Sequence, residues 1–383
     1  MKSLLLMMLR YWHTVRYLRF VQIVGRLQYF FRHINVDYSP PGALREVTGK
    51  WIMPARRDQS MLAERSFCFL NESHKIISAD DWNNKQLSKL WLYNLHYFDD
   101  LSSVDAELRN NWHRDLIDLW IDENPVGMGN GWEPYPSSLR IVNWIKWALA
   151  GNLMEERWLH SLVIQVRFLF QNLETHLMGN HLFANAKALM FAGCFFNSNE
   201  AKSWRETGHK IIKQELAEQL LDDGGNFELS TMYHLIFLED LLDLYNLHST
   251  YGDLLAEEFK DNISSMFYWL AVMCHPDEEI SFFNDAALGI SPSVAEIRNY
   301  GEKLLGNDSS VLINVEFSEF SFIELPDSGY SRVQIHPMVT IIDRAAIGPD
   351  YLPGHAHADT LSFEMSLFGQ RVIVNSGTSV YGS

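Results

Sequence analysis

The apolar positions of this chain change period once. From about residue 85 to 305 they recur at helical spacing: Leu139, Val142, Ile145 and Leu149 share one face, and Ile212, Leu216 and Leu220 share another. Asp222-Asp223-Gly224-Gly225 ends that second helix, and Ser230 offers an N-cap for the next. There Leu235, Leu238, Leu242 and Tyr245 form the apolar face, with Glu239, Asp240 and Asp243 outside. The spacing predicts about eight to ten helices, mostly in helix–turn–helix pairs. After about residue 310 the period falls to two. Val333/Ile335 and Val339/Ile341 alternate, and Leu361, Phe363, Met365 and Leu367 are separated by Ser362, Glu364 and Ser366, the pattern of a strand that buries its apolar side. Phe368-Gly369-Gln370-Arg371 reads as a turn, with Val372 and Val374 starting the partner strand. A sandwich needs more strands than the four or so supplied before Ser383, so the chain is expected to end inside its sheet domain.

The first residues read differently. Lys2 and the apolar run Leu4–Leu9 begin like a secretory leader, but Arg10 stops the run and no small-residue cleavage site follows. Residues 11–32 form a basic amphipathic pattern, with Tyr11, Val15, Leu18, Val21, Val24, Leu27 and Phe30 at helical spacing and Arg16, Arg19, Arg26 and Arg32 between them. Such a helix is expected to pack on its own domain; an anionic membrane surface is the alternative. Ser39-Pro40-Pro41-Gly42 and Pro54 mark residues 35–60 as a linker. The resulting division is residues 1–60 as basic helix and linker, 61–310 as a helical domain and 311–383 as part of an antiparallel sheet domain.

Composition narrows the functional classes. The 383 residues are 47% hydrophobic and 21% charged, enough for a large core and too apolar for disorder. Net charge is −17, yet residues 1–66 hold eleven Lys/Arg against four Asp/Glu, so the remainder carries −24. An acidic body argues against a nucleic-acid partner. Cys68, Cys194 and Cys274 are odd in number and far apart, and imply neither a disulfide framework nor a Cys-based zinc site. No stretch reaches the length of a membrane span.

Four segments carry candidate chemistry. Gly131-Trp132-Glu133-Pro134-Tyr135-Pro136-Ser137-Ser138-Leu139-Arg140 leads aromatics and charges into a helix; aromatic faces stack on sugar rings, and Arg grips a carboxylate with two parallel hydrogen bonds. Gly179-Asn180-His181 precedes an apolar helix that it could simply cap. Glu228-Leu229-Ser230-Thr231-Met232-Tyr233-His234 puts a tyrosine in a first helical turn, ordinarily a packing position. In Gly354-His355-Ala356-His357-Ala358-Asp359, two His and an Asp at alternate positions share one side of an extended segment and could meet a metal or a substrate.

In this order, with the switch from helix to sheet before the fourth, the segments resemble the heparinase II/III family of polysaccharide lyases. The resemblance runs from Asn94-Leu95-His96-Tyr97-Phe98 to the last residue, and is closest to members similar to bacterial alginate and heparinoid lyases. It implies an α+β multidomain fold, an incomplete α/α toroid followed by the start of an antiparallel β-sandwich. It also implies β-elimination on a uronate-containing, acidic polysaccharide. That chemistry removes the C5 proton beside a carboxylate, so the carboxylate must be neutralised, a base must take the proton and an acid must protonate the leaving oxygen. By resemblance, Asn180 with His181 neutralises the carboxylate, while Tyr233 and His355 serve as base and acid from opposite sides of a cleft. A tyrosine base needs positive charge or donors beside it, its ordinary pKa being about 10. Trp132, Glu133, Tyr135 and Arg140 are the expected sugar-binding residues, and Arg140 and Lys187, or the basic N-terminal part, are expected to make the cleft locally basic. No cofactor is required. His357 matches a structural zinc ligand of some members, but Asn375 stands where the next, acidic ligand is expected, and a neutral amide binds zinc poorly. The resemblance suggests the bacterial cell envelope or periplasm; the missing cleavage site suggests the cytoplasm. Three other readings stay open: a toroid glycoside hydrolase using Glu133 and Glu228, a metal hydrolase built on His355, His357 and Asp359, and a polysaccharide-binding protein of a biosynthetic or export assembly that does not cut.

Overall fold

The computed structural model describes residues 2–306, 315 and 317–378. Two helices, α1 (Lys2–Val15) and α2 (Phe20–Phe31), come first. Short strands follow: β1 (Ala43–Leu44), β2 (Met61–Ala63), β3 (Ser66–Phe69) and β4 (Glu72–Lys75), the last three forming a small antiparallel sheet. The main helical body comprises α3 (Lys89–Tyr97), α4 (Asn110–Glu123), α5 (Pro134–Leu149), α6 (Glu156–Phe170), α7 (Gly179–Phe195), α8 (Asn199–Gln219), α9 (Thr231–Thr250), α10 (Lys260–Met273) and α11 (Val294–Leu305). Strand β5 (Phe196–Asn197), between α7 and α8, pairs antiparallel with β1. The sheet domain is a meander of β6 (Phe320–Leu325), β7 (Tyr330–Ile335), β8 (Met338–Asp343), β9 (Phe363–Leu367) and β10 (Gln370–Ile373), every neighbour antiparallel. The expected helical body followed by an antiparallel sheet is what the chain forms.

The helices begin and face as their sequence patterns require, with two exceptions. Ser88, Ser198 and Ser293 cap α3, α8 and α11 through side-chain bonds to backbone N–H groups. Ser230 stands at the N-cap of α9 but makes no such bond. The apolar face of α9 is buried as predicted, but so are Glu239 and Asp243, expected outside. Neighbouring helices and the extended segment before β2 supply their counter-charges: Lys187 Nζ lies 2.5 Å from Asp243 and 2.6 Å from Asp240, Lys146 pairs with Asp243, and Arg57 Nη2 lies 2.7 Å from Glu239. Burial of these carboxylates is tolerable because each is paired.

The segment read as a linker is extended but strapped down. Arg167 donates to the carbonyls of Asp37 (3.1 Å) and Ser39 (2.6 Å), and Asn246 brackets Ile52, accepting from its N–H at 3.2 Å and donating to its carbonyl at 2.7 Å. All three cysteines are unpaired thiols, Cys194 and Cys274 buried.

The sheet reverses the expected orientation of β9. Its buried positions are Glu364 and Ser366, whereas Phe363 is 44% exposed. In register with them, Arg332, Val339 and Ile341 face the helices, while the row Phe322, Val333, Thr340 and Met365 faces away. The inner polar positions are tolerated because the helical body offers partners: His275 Nδ1 meets Ser366 Oγ and its Nε2 meets Glu364 Oε2, both at 2.8 Å. Apolar contact continues beside them, with Trp269, Val272 and Phe283 packed on Leu325, Tyr330 and Ile341.

Candidate active site

Four of the residues singled out in the sequence come from three separate segments to one place where the helices meet the sheet side, around Glu228. Asn180 and His181 open α7. Met178 and Gly179 before them both have positive φ, and a Cβ on Gly179 would lie 2.7 Å from Leu352 Cδ2 and 3.1 Å from Glu228 Oε1. That glycine therefore lets the start of α7 come close to Glu228, which accepts a hydrogen bond from the backbone N–H of Asn180. His181 is half-buried, its ring 4.4 Å from that of Tyr135 and its Nδ1 3.2 Å from Glu174 Oε1.

Tyr233, in the first turn of α9, places its ring 4.1 Å from that of His355, centroid to centroid. His355 ends a 3-10 turn, Pro353–His355, on the sheet side. Its Nδ1 lies 2.7 Å from Asp285 Oδ2, and its Nε2 faces Glu228 Oε1 at 3.7 Å. A carboxylate only accepts, so Nδ1 carries a proton. Burial alone would lower the His355 pKa; the Asp285 bond and the charges of Glu228 and Asp285 outweigh it, and the net shift is upward. Burial also raises Glu228, with His355 pulling the other way. These shifts oppose each other, since a proton on Glu228 would weaken the field at His355. We place the proton on His355, because Asp285 adds a direct bond there.

Asp285 carries no motif and was not found from sequence; a loop brings it in, next to Asn284 in a left-handed conformation (φ 56°). Glu228 lay inside a highlighted segment but was read only as a hydrolase carboxylate.

The expected sugar-binding residues divide. Tyr135 flanks His181 in the cleft. Glu133 is half-buried, accepting from Lys89 Nζ at 2.9 Å and from the Tyr93 hydroxyl. Trp132 and Arg140 are interior. Trp132 donates to Asn124 O and packs between Trp120 and Phe168. Arg140, 0% exposed, donates to Gln165 Oε1 at 2.9 Å and lies 3.8 Å over the Trp120 ring. Lys187 is likewise inside, held by Asp240 and Asp243, so neither cation lines the cleft. Of the basic N-terminal part, Arg57 acts on Tyr135, Arg26 and Arg32 act on His176, and Arg32 donates to Asn172 at 2.9 Å.

His355, His357 and Asp359 diverge rather than converge. His357 Nε2 meets Thr378 Oγ1 at 3.1 Å, and Asp359 accepts from the Asn284 N–H at 2.6 Å and from Asn375 Nδ2 at 3.0 Å. Each side chain thus takes a different partner, against the expectation of one shared side, and the metal-hydrolase reading has no ligand set here. Among the described residues no three His, Cys, Asp or Glu side chains are grouped to hold a metal, and Asn375, at the doubtful zinc position, is committed to Asp359.

Comparison with known proteins gives the family. Residues 91–306 match the Heparinase II/III N-terminus and residues 319–383 the Heparinase II/III-like, C-terminal domain. The chain belongs to the heparinase II/III family. It is 28% identical over 213 residues to a heparin-sulfate lyase of Bacteroides stercoris, 53% of this chain and 32% of that protein. To a heparin-sulfate lyase of Pedobacter heparinus it is 27% identical over 206 residues, 48% and 29% of the two chains. The match thus spans about a third of those curated relatives. In fold it is similar to the crystal structure of heparinase III, with TM-score 0.61 and 19% identity over 77% of this chain and 52% of that one. It is also similar to a mutant heparan sulfate lyase from Pedobacter heparinus, with TM-score 0.56 and 16% identity over 95% and 61%. Tyr233 falls in the matched helical region and His355 in the matched sheet region, and their rings meet.

Proposed function

We propose that this heparinase II/III chain is a polysaccharide lyase that cleaves an acidic, uronate-containing glycan by β-elimination. The observation carrying the proposal is the Tyr233–His355 ring contact across the cleft, with His355 anchored by Asp285 and Asn180 placed at the opening of α7 beside Glu228.

Asn180 and His181 face the uronate carboxylate and stabilise the charge that grows on it as C5 loses its proton. Tyr233, as the phenolate, takes that proton and becomes the phenol. The C5–H electron pair becomes the C4–C5 double bond, the C4–O bond breaks, and the leaving oxygen receives a proton from His355 Nε2. The upward-shifted His355 suits the acid role and brings the positive charge that a tyrosine base needs beside it. Tyr135 offers a ring face next to His181 for a neighbouring sugar. The names of the relatives favour glycosaminoglycans of the heparan sulfate type as the first substrates to try.

The test is incubation with heparan sulfate, chondroitin, hyaluronan and alginate, following the ultraviolet absorbance of the unsaturated uronate. Absorbance should grow with the parent chain on one substrate class and fall at least ~100-fold in Tyr233→Phe and His355→Ala. Absorbance that survives Tyr233→Phe would remove Tyr233 from the acid–base pair. Sugar binding without absorbance would replace the lyase by a binding protein.

A further inference from the structure

Helix α2 is mounted inside out. A helix on a soluble domain normally turns its apolar stripe inward, but α2 docks through its polar and small residues. Gln22 is 2% exposed and donates to the Tyr351 carbonyl, Tyr29 packs its ring 4.6 Å from that of His176, and Arg32 donates to Asn172. Gly25 lies so close that a Cβ there would be 3.0 Å from His176 Cβ. The opposite side of the helix carries Phe20, Ile23, Leu27, Phe30 and Phe31, within about 100° of one another around the axis. Phe20, Phe30 and Phe31 are 80%, 81% and 78% exposed. Helix α1 adds exposed Tyr11 and Trp12.

Charge identifies the partner. Residues 1–36 contain Lys2, Arg10, Arg16, Arg19, Arg26 and Arg32 and no Asp or Glu, in a chain whose net charge is −17. Arg26 borders the apolar stripe, within ~50° of Phe30 around the helix axis. A stripe of aromatic and aliphatic side chains rimmed by cations matches a bilayer interface with anionic headgroups. Among the described residues no helix is long and apolar enough to cross a membrane, so the geometry is that of a helix lying on the surface.

We propose that α1 and α2 form a surface anchor for an anionic phospholipid bilayer, with the exposed phenylalanines of α2 inserted below the headgroups. Because the far side of α2 contacts His176, near His181, the anchored protein would hold its cleft beside the membrane. The proposal is independent of the lyase reading.

The test is co-sedimentation of the full chain with vesicles of phosphatidylcholine alone or mixed with phosphatidylserine, at low and high salt. The triple variant Phe20→Ser, Phe30→Ser, Phe31→Ser is run alongside, its fold checked by circular dichroism melting. The expected result is binding to the phosphatidylserine vesicles, at least ~tenfold weaker on phosphatidylcholine or at high salt and lost in a folded triple variant. Absence of binding to anionic vesicles overturns the proposal, as does undiminished binding of the triple variant. Concentration-dependent self-association in place of vesicle binding, abolished by the same variant, would make the stripe a contact between two copies and also overturns it.

Discussion

At the scale of single residues, the candidate site depends on what stands behind its imidazole. Asp285 fixes the His355 tautomer and is one of the groups that shift its pKa upward. Asp285→Asn preserves shape but removes the charge, so burial gains weight and the His355 pKa falls. If His355 acts as the protonated acid, its working form is then lost at lower pH. The alkaline limb of kcat/KM against pH should therefore move to more acidic values, with a loss of about tenfold or more near neutrality. Activity lost with an unmoved limb would show that Asp285 only supports the loop. The residues proposed for the site, Asn180, His181, Tyr233 and His355, each lie in a short motif that the sequence displays. Sequence reasoning could not reach Asp285, whose contact with His355 is made 70 residues away with no spacing to announce it. It also misplaced Trp132 and Arg140, since aromatics and a cation before a helix read the same whether they point into the cleft or toward Gln165 and Trp120.

At the scale of elements, the chain's patterns announce period more faithfully than orientation. The helical and two-residue repeats placed helices and strands correctly, yet the polar sides of β9 and α2 turned inward, and on α9 the charged side is buried together with the apolar one. In each case the reason is a partner on a distant segment, which a local pattern does not contain. Strand β9 gives the sharpest test. Glu364 accepts from His275 Nε2 and from the backbone N–H groups of Phe282 and Asn375 at 2.8 to 3.0 Å. Glu364→Ala strands all three donors, the His275 ring among them buried, and should destabilise the protein by about 3 kcal/mol. Phe363→Ala, on the outward side, should cost under about 1 kcal/mol. Denaturant titration of both variants decides the matter; the opposite ranking would restore the apolar-inward strand that alternation alone suggests.

At the scale of the whole molecule, Tyr233 belongs to the helices and His355 to the sheet side, so the site exists only while the two stay docked. Their interface is more than a loose domain contact. Arg332 reaches from β7 to the carbonyls of Val272 and Cys274 at 3.0 and 2.6 Å, Trp269 Nε1 donates to Ser328 Oγ at 2.9 Å, and the Tyr330 hydroxyl donates to Leu229 O at 2.7 Å. Asp223, just after α8, accepts from the N–H groups of Asp327 and Ser328 in the first sheet turn. These bonds surround the shared apolar cluster of Trp269, Val272, Phe283, Leu325, Tyr330 and Ile341, all of them buried. Domains joined by small polar contacts unfold separately, whereas a shared core couples them. Scanning calorimetry should therefore show one transition, with calorimetric and van't Hoff enthalpies in agreement. Arg332 is the place to break the coupling. Burial brings its guanidinium down to about 10, and the two helix-end carbonyls are its principal hydrogen-bond acceptors. Arg332→Ala leaves both acceptors unmet and should resolve a second, lower transition belonging to the sheet. Near that temperature the proposed lyase activity should fall while the helical signal in circular dichroism persists, because His355 leaves Tyr233 before α9 unfolds. Two transitions already present in the unaltered chain would mean instead that the site is assembled by substrate rather than by the interface.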